Sequence, residues 1–322
     1  MDEIIPGLFL GPWETAFEVE ELDRMGVTHV LSAMRVPMLK LPERFKNLQL
    51  HILDSPKFDI LSYFPQCIAF IDEGMKSGGK VLVHCQAGIS RSASVVAAYL
   101  IATRRITPET ALELIRKSRP CIQPNFGFRK QLDTWHQTEC IVSVDDKVTR
   151  LHYIEKTVRI SKAGGGVHIR KDMLATVPNH RPSGNRIRCK MCRRELATKD
   201  HMFPHGSSSS AHTVAEPAAE TLAPVDDAAI ITDTAIDPVA ITPAPPRDAP
   251  LISPECSGYF LEPLDWMRSF LDEGLVEGKI ICPNPKCSSK LGSYAWAGVK
   301  CACGEWVTPG FCIHRSKVDE MR

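Results

Sequence analysis

Val81-Leu82-Val83-His84-Cys85-Gln86-Ala87-Gly88-Ile89-Ser90-Arg91-Ser92 carries an apolar run into a short loop, and residues 94–102 follow as a second, largely apolar stretch. The first run reads as a fully buried strand and the second as a core helix, an α/β arrangement that holds the loop from both sides. A cysteine and an arginine stand at the two ends of that loop. A free thiol titrates near about 8.5 and is mostly protonated at neutral pH. A helix N-terminus, converging loop amides and a guanidinium all favour the anion, so Cys85 is expected to be a nucleophile. The same amides suit the oxygens of a phosphoryl group, and the planar fork of Arg91 can take two of them. Gly88 lets the backbone turn without a Cβ clash. Ser92 can donate a hydrogen bond to the sulfur and help it leave in a second step.

Phosphoryl transfer through a thiolate also needs an acid for the departing oxygen and later an activator for water. Upstream, Leu50-His51-Ile52-Leu53-Asp54-Ser55-Pro56-Lys57-Phe58-Asp59-Ile60 reads as a strand running into a loop, with two carboxylates. Asp54 stands at the strand end, where a loop can swing it over the pocket. Asp59 is the other candidate, but it also reads as an N-cap ahead of a helical segment at residues 60–73.

The run from His84 to Ser92 resembles the HCxxGxxRS motif of cysteine-dependent protein phosphatases, and LVHCQAGISRSAS resembles their dual-specificity branch. The resemblance implies a nucleophile at Cys85, phosphate binding at Arg91, thiolate stabilisation at Ser92 and general acid–base work at Asp54. His84, Gln86, Ala87, Gly88, Ile89 and Ser90 complete the implied phosphate-binding loop, and no metal takes part in the chemistry. The acid precedes the cysteine, the order of the classical and dual-specificity types rather than the low-molecular-weight type. A catalytic unit ending by residue 143 is too short for a large tyrosine-specific domain. The implied pocket is shallower and admits phosphoserine and phosphothreonine as well as phosphotyrosine.

Other segments fit the same frame. Ile5-Pro6-Gly7-Leu8-Phe9-Leu10-Gly11 and Gly26-Val27-Thr28-His29-Val30-Leu31 resemble its opening strands. Thr107-Pro108 sets an N-cap and a first-turn proline before residues 109–117, which Pro120 closes. Residues 128–139 read as the last helix, with Asn125 as a structural cap rather than a pocket wall.

The chain has 322 residues, 43% hydrophobic and 24% charged, which suits about two soluble domains. No signal-like or membrane-length apolar run is expected. Twelve cysteines in a chain without a signal sequence point to metal binding in a reducing compartment rather than to disulfides. Cys67, Cys121 and Cys140 fall singly and read as small apolar fillers. After residue 188, Cys189 and Cys192, Cys282 and Cys287, and Cys301 and Cys303 form pairs, with Cys256 and Cys312 as singles. These are enough for two tetrahedral zinc sites.

Arg188-Cys189-Lys190-Met191-Cys192-Arg193-Arg194, Cys256-Ser257-Gly258-Tyr259-Phe260-Leu261-Glu262-Pro263-Leu264-Asp265-Trp266-Met267, Leu291-Gly292-Ser293-Tyr294 and Lys317-Val318-Asp319-Glu320-Met321 resemble one group of phosphatases. It is the YVH-type family, eukaryotic dual-specificity phosphatases with a C-terminal zinc-binding domain that act in maturation of the large ribosomal subunit. The resemblance implies a first structural zinc on Cys189, Cys192, His205 and Cys256, and a second on Cys282, Cys287, Cys301 and Cys303. His201 and His212 are the alternatives to His205, and Cys312 and His314 read as bystanders. Four residues separate Cys282 from Cys287 where the family commonly has two, a spacing zinc still accepts.

The expected organisation is an α/β dual-specificity phosphatase domain over residues 1–143, a connecting segment over 144–180 and a small, mostly β zinc-binding domain over 181–322. In the connecting segment, short strands are expected between Val158 and Val177 around the glycines at 164–166. A disordered acidic insertion is expected at about 207–252, since residues 211–251 carry one arginine, Arg247, against seven acids. Net charge is only +1, but residues 141–206 hold 14 lysines and arginines against six acids. Arg181, Arg186, Arg188, Lys190, Arg193 and Arg194 crowd the first knuckle and suit salt-dependent contact with RNA. The implied partners are phosphoprotein substrates and the pre-ribosomal large subunit, through protein and rRNA. The chain is expected to be monomeric, off the membrane, and in cytoplasm and nucleus.

Overall fold

A computed structural model of the chain describes residues 1–35, 41–177, 185–206 and 251–321. It divides into two compact units, Met1–Arg159 with Arg170–Ala175, and Ile160–Ile169 with Thr176–Arg322.

The first unit is an α/β layer structure. Its elements are β1 (Asp2–Ile5), β2 (Leu8–Gly11), α1 (Val19–Met25), β3 (Val27–Ala33), β4 (Lys46–Leu50), α2 (Phe64–Lys76), β5 (Lys80–His84), α3 (Arg91–Arg104), α4 (Pro108–Ser118), α5 (Phe126–Gln137) and α6 (Lys147–Lys162). The strands form one sheet in the order β1-β2-β5-β3-β4, parallel except for the β1–β2 hairpin. Alternation along β5 divides its side chains between two cores. Val81 and Val83 enter the large core with Phe64, Val95, Leu100, Phe128 and Trp135, and Leu82 joins Phe9, Leu22, Val30 and Phe45 on the other face. Ten consecutive residues of α3, from Ser92 to Ile101, are buried, which is why that helix has no polar stripe. Thr107 caps α4 by accepting the Thr110 amide, with Pro108 at the first helical position.

Two expectations need correction here. Residues 144–162 are not an unpatterned connector with strands. They hold α6, whose Tyr153, Ile154 and Val158 are buried, and whose charged residues between these positions obscure the helical period. The compact unit that holds the Cys85 loop accordingly extends past residue 143.

The second unit is mostly β. Its elements are β6 (Arg186–Cys189), β7 (Glu195–Thr198), β8 (Gly258–Phe260), α7 (Arg268–Leu271), β9 (Glu277–Ile281), β10 (Lys290–Ala295), β11 (Val299–Lys300), β12 (Trp306–Val307), β13 (Gly310–His314) and β14 (Val318–Met321). They form an antiparallel sheet β8-β13-β10-β9, a three-stranded sheet β14-β6-β7 and the small β11–β12 pair. Most of the expected acidic insertion, together with Arg181 and His212, lies outside the described residues. Among the described residues no helix is long and apolar enough to cross a membrane.

Candidate functional site

β5 ends at His84 and α3 begins at Arg91, so the loop between them is fixed at both ends. All five carbonyls over residues 86–90 are engaged. The Trp13 amide donates to Gln86 O (3.2 Å) and the Gln123 amide to Ile89 O (2.9 Å). Arg119 donates from Nη2 to Ala87 O (3.0 Å) and from Nε to Gly88 O (2.8 Å), while its Nη1 pairs with Asp2 Oδ2 (2.6 Å). Ser90 O accepts the Ser94 amide and hydroxyl. In a trans peptide the next N–H points opposite the carbonyl, so this anchoring turns the following amides the other way and keeps them free for a ligand. Gly88 has φ +67°, and a Cβ there would lie 2.6 Å from the carbonyl carbon and oxygen of Gly11.

A cavity of about 310 Å³ opens over this loop, lined by Cys85, Ser90 and Arg91 together with Asp54, Gln123 and Asn125. Cys85 is buried, and its Sγ accepts a 3.1 Å hydrogen bond from Ser92 Oγ. Asp54 Oδ1 accepts two bonds of 2.8 Å, from Ser90 Oγ and Asn125 Nδ2. Its other oxygen lies 3.5 Å from Arg91 Nε. His84 points away from this chemistry: its ring is buried with Nε2 2.7 Å from Ser32 Oγ. Burial pushes its pKa down to about 4 against a smaller opposing effect of the Cys85 backbone, so the ring is neutral near pH 7.

The loop carrying Asp54 differs in detail from the sequence reading. β4 stops at Leu50, so Asp54 stands in the loop beyond the strand rather than at its end. Asp59 does not cap α2, which has no side-chain cap; it pairs with Arg170 Nη1 at 3.1 Å. α5 anchors this loop. Gln131 Oε1 accepts the amides of Ile60 (2.8 Å) and Leu61 (3.0 Å), and its Nε2 donates to Phe58 O (2.9 Å). A Cβ on Gly127 would lie 2.0 Å from Pro56 O, so only glycine permits this approach. Asn125 does cap α5, accepting the Phe128 amide at 3.0 Å, but its amide nitrogen also holds Asp54.

In the second unit the eight expected ligands gather into two clusters, but with different partners. Cys189 and Cys192 meet Cys282 and Cys287; His205 and Cys256 meet Cys301 and Cys303. Within each cluster the ligand atoms lie within 4.8 Å of one another. The sets Cys189, Cys192, His205, Cys256 and Cys282, Cys287, Cys301, Cys303 are therefore corrected to an interleaved pairing. Strand pairing is the physical reason. The Met202–Leu261 bridge and the Phe203 amide on Phe260 O (2.8 Å) bring His205 beside the chain leading from Cys256. Ser257 Oγ then reaches Cys301 Sγ at 3.7 Å. In the other cluster, Cys192 Sγ lies 3.6 Å from Cys282 Sγ and Cys189 Sγ lies 3.9 Å from Cys287 Sγ.

The donor chemistry suits a tetrahedral cation in both places, four sulfurs in one and three sulfurs with an imidazole in the other. His205 Nδ1 lies 3.2 Å from Phe203 O, and its buried Nε2 has no hydrogen-bond partner among the described residues, the arrangement of a ligating histidine. His201 Nδ1 instead accepts the Thr198 amide at 3.1 Å. Burial opposes the Cys192 and Cys301 thiolates, yet neighbouring amides, hydroxyls and thiols bring each down to about 6. Burial and adjacent sulfurs push Cys256 and Cys282 up to about 12. A cation bound at either cluster would take its sulfurs as thiolates.

Cys312 lies outside the clusters, buried in β13, and His314 is exposed at the end of that strand. Cys67 is an apolar filler whose thiol burial pushes up to about 12, whereas Cys121 is exposed and Cys140 half-buried.

The chain is 32% identical, over 99% of its length, to "Dual specificity protein phosphatase 12" of Mus musculus, of which it covers 88%. It is 33% identical over its whole length to "Tyrosine-protein phosphatase yvh1" of Schizosaccharomyces pombe, covering 85% of that protein. The chain belongs to the Yvh1/dual-specificity phosphatase 12 family. It is a dual-specificity protein phosphatase, and its substrates are phosphoproteins. Residues 8–138 match the family model described as the dual specificity phosphatase catalytic domain. The crystal structure of the Yvh1 phosphatase domain from Chaetomium thermophilum is 32% identical, with a TM-score of 0.39 over 42% of this chain and 92% of that one.

Three residues of this Yvh1-family chain that shape the site escaped the sequence reading: Arg119, Gln131 and Arg170. Arg119 ends α4 in a stretch dense with lysine and arginine, where nothing in its spacing marks one cation as a loop anchor. Gln131 did carry a signal, an amide at a buried position of the amphipathic helix α5, where an unpaired polar group is costly.

Proposed function

We propose that Cys85 attacks the phosphorus of a phosphorylated side chain while Asp54 protonates the departing oxygen. The P–O bond breaks as the S–P bond forms, leaving a cysteinyl phosphate and a free hydroxyl. Arg91 and the loop amides hold the equatorial oxygens through both steps. Asp54 then takes a proton from water as the water attacks phosphorus, inorganic phosphate leaves, and the Ser92 hydroxyl stabilises the released thiolate. The observation that carries this reading is the Ser92–Cys85 hydrogen bond at a cavity that Cys85, Arg91 and Asp54 line together. Cys85→Ser should abolish turnover yet retain binding of a phosphopeptide, and Asp54→Ala should lower kcat by roughly 10²–10⁴-fold. Full turnover by Cys85→Ser would end the thiolate mechanism.

We further propose that both clusters hold structural zinc and that the second unit serves maturation of the large ribosomal subunit in nucleus and cytoplasm, through protein and rRNA. The YVH-type sequence resemblance supports this, as does the tip of the β6 knuckle. Met191 there is 76% exposed and is flanked by exposed Lys190, Arg193 and Arg194. Zinc at these clusters supplies cross-links between loops too short to bury a core of their own. Co-sedimentation with large-subunit precursors should survive Cys85→Ser and fail for Cys282→Ser. Intact association after removal of both metals would overturn the docking role.

A further inference from the structure

The loop bearing Asp54 is gripped on a second side, by chain beyond the catalytic domain match at residues 8–138. α6 is fastened to α5, the helix that supplies Asn125, Gly127 and Gln131: Lys130 Nζ reaches Glu155 at 2.6 Å, and Thr134 Oγ1 lies 3.4 Å from His152 Nδ1. After α6 the chain returns to the first unit at Arg170–Ala175. Met173, Leu174 and Ala175 are buried, and Thr157 Oγ1 lies 3.6 Å from Met173 Sδ. This fixes Arg170 in place. Its guanidinium stacks 4.3 Å over the buried Tyr153 ring, and its Nη1 meets Asp59 Oδ2 at 3.1 Å. Asp59 is 14% exposed and sits between Asp54 and the Ile60 amide held by Gln131.

We propose that Arg170 is a positioning residue for the phosphatase reaction. Stacked on Tyr153 and paired with Asp59, it fixes the loop so that Asp54 meets the leaving oxygen. The proposal rests on the assignment of Asp54 as general acid. A stacked, paired guanidinium restrains Asp59 in direction as well as distance, which an ammonium on a flexible stem does not. Small displacements of a catalytic group are costly in rate, so loss of this restraint is expected to cost proton transfer before it costs binding.

Leaving-group dependence of the full-length chain separates the possibilities. A nitrophenyl phosphate releases a stable anion without a proton, whereas a phosphoserine peptide needs one. Arg170→Ala and the bulkier neutral Arg170→Gln should each lower kcat on the phosphoserine peptide about 10-fold, with KM within about twofold. Both should stay within about twofold of the unsubstituted chain on the nitrophenyl ester, and Arg170→Lys should recover part of the loss. Asp54→Asn run in parallel should show the same selectivity more strongly. An equal loss on both substrates, or no loss on either, with Asp54→Asn still selective, overturns the role of Arg170 and leaves the acid assignment standing. A non-selective Asp54→Asn overturns both.

Discussion

At the scale of single residues, His84 shows how a motif position can serve the loop without touching the substrate. Its ring is buried against Ser32, and burial holds its pKa at about 4. The folded state thus binds the His84 proton less readily than the unfolded chain, whose histidines titrate near about 6.5. Stability from this residue is intact above that pH and declines as pH falls from about 6.5 towards 4. Between pH 7 and pH 5 the loss is about 2 kcal/mol. Urea unfolding at the two pH values measures it, and a His84→Gln chain should show a smaller drop by that amount. Cys85, Arg91 and Ser92 could be read because each residue type has few alternative uses at that spacing beside a strand and a helix. Arg119 could not, because its three bonds reach Asp2, Ala87 and Gly88, residues far from it in sequence.

At the scale of elements, α5 organises the site. Its N-terminus presents Asn125 to Asp54, its second residue admits the Pro56 backbone, and its next turn presents Gln131 to the loop. Replacing Gln131 with leucine leaves the Ile60 and Leu61 amides and the Phe58 carbonyl without partners. The expected cost is at least about 2 kcal/mol of stability by denaturant midpoint. Because Asp54 rides on the same loop, turnover of a phosphoserine peptide should fall as well. Elements marked by an unbroken apolar run or by a cap, such as α3, β5 and α4, were legible in advance. α6 was not, since lysines, arginines and threonines interrupt its apolar stripe. Asp59 was misread for a related reason: an acid before a helical segment resembles a cap, and only the return of the chain at Arg170 supplies its partner.

At the scale of the whole molecule, the eight metal-type ligands were legible as a set, but their division was not. Short cysteine spacings state which sulfurs lie side by side, whereas the second pair in each cluster is chosen by strand pairing over long separations. The interleaved arrangement makes a prediction that sequential pairing does not. With both clusters holding zinc as proposed, Cys282→Ser should reduce bound zinc from two ions to one, expose Cys189 and Cys192 to alkylation, and leave Cys256, Cys301 and Cys303 protected. Mass spectrometry of the alkylated chain reads out all five positions. Alkylation of Cys301 and Cys303 in place of Cys189 and Cys192 would restore the sequential scheme.

His205 and Cys256 belong to one cluster, and 50 residues separate them in the chain. A cation held there is the clasp of a ring whose circumference is that whole stretch. Ring closure depends only weakly on circumference, since doubling the length adds only about 0.6 kcal/mol of entropic cost. With that clasp in place, lengthening or shortening the stretch between His205 and Cys256 should change the cost of closure little.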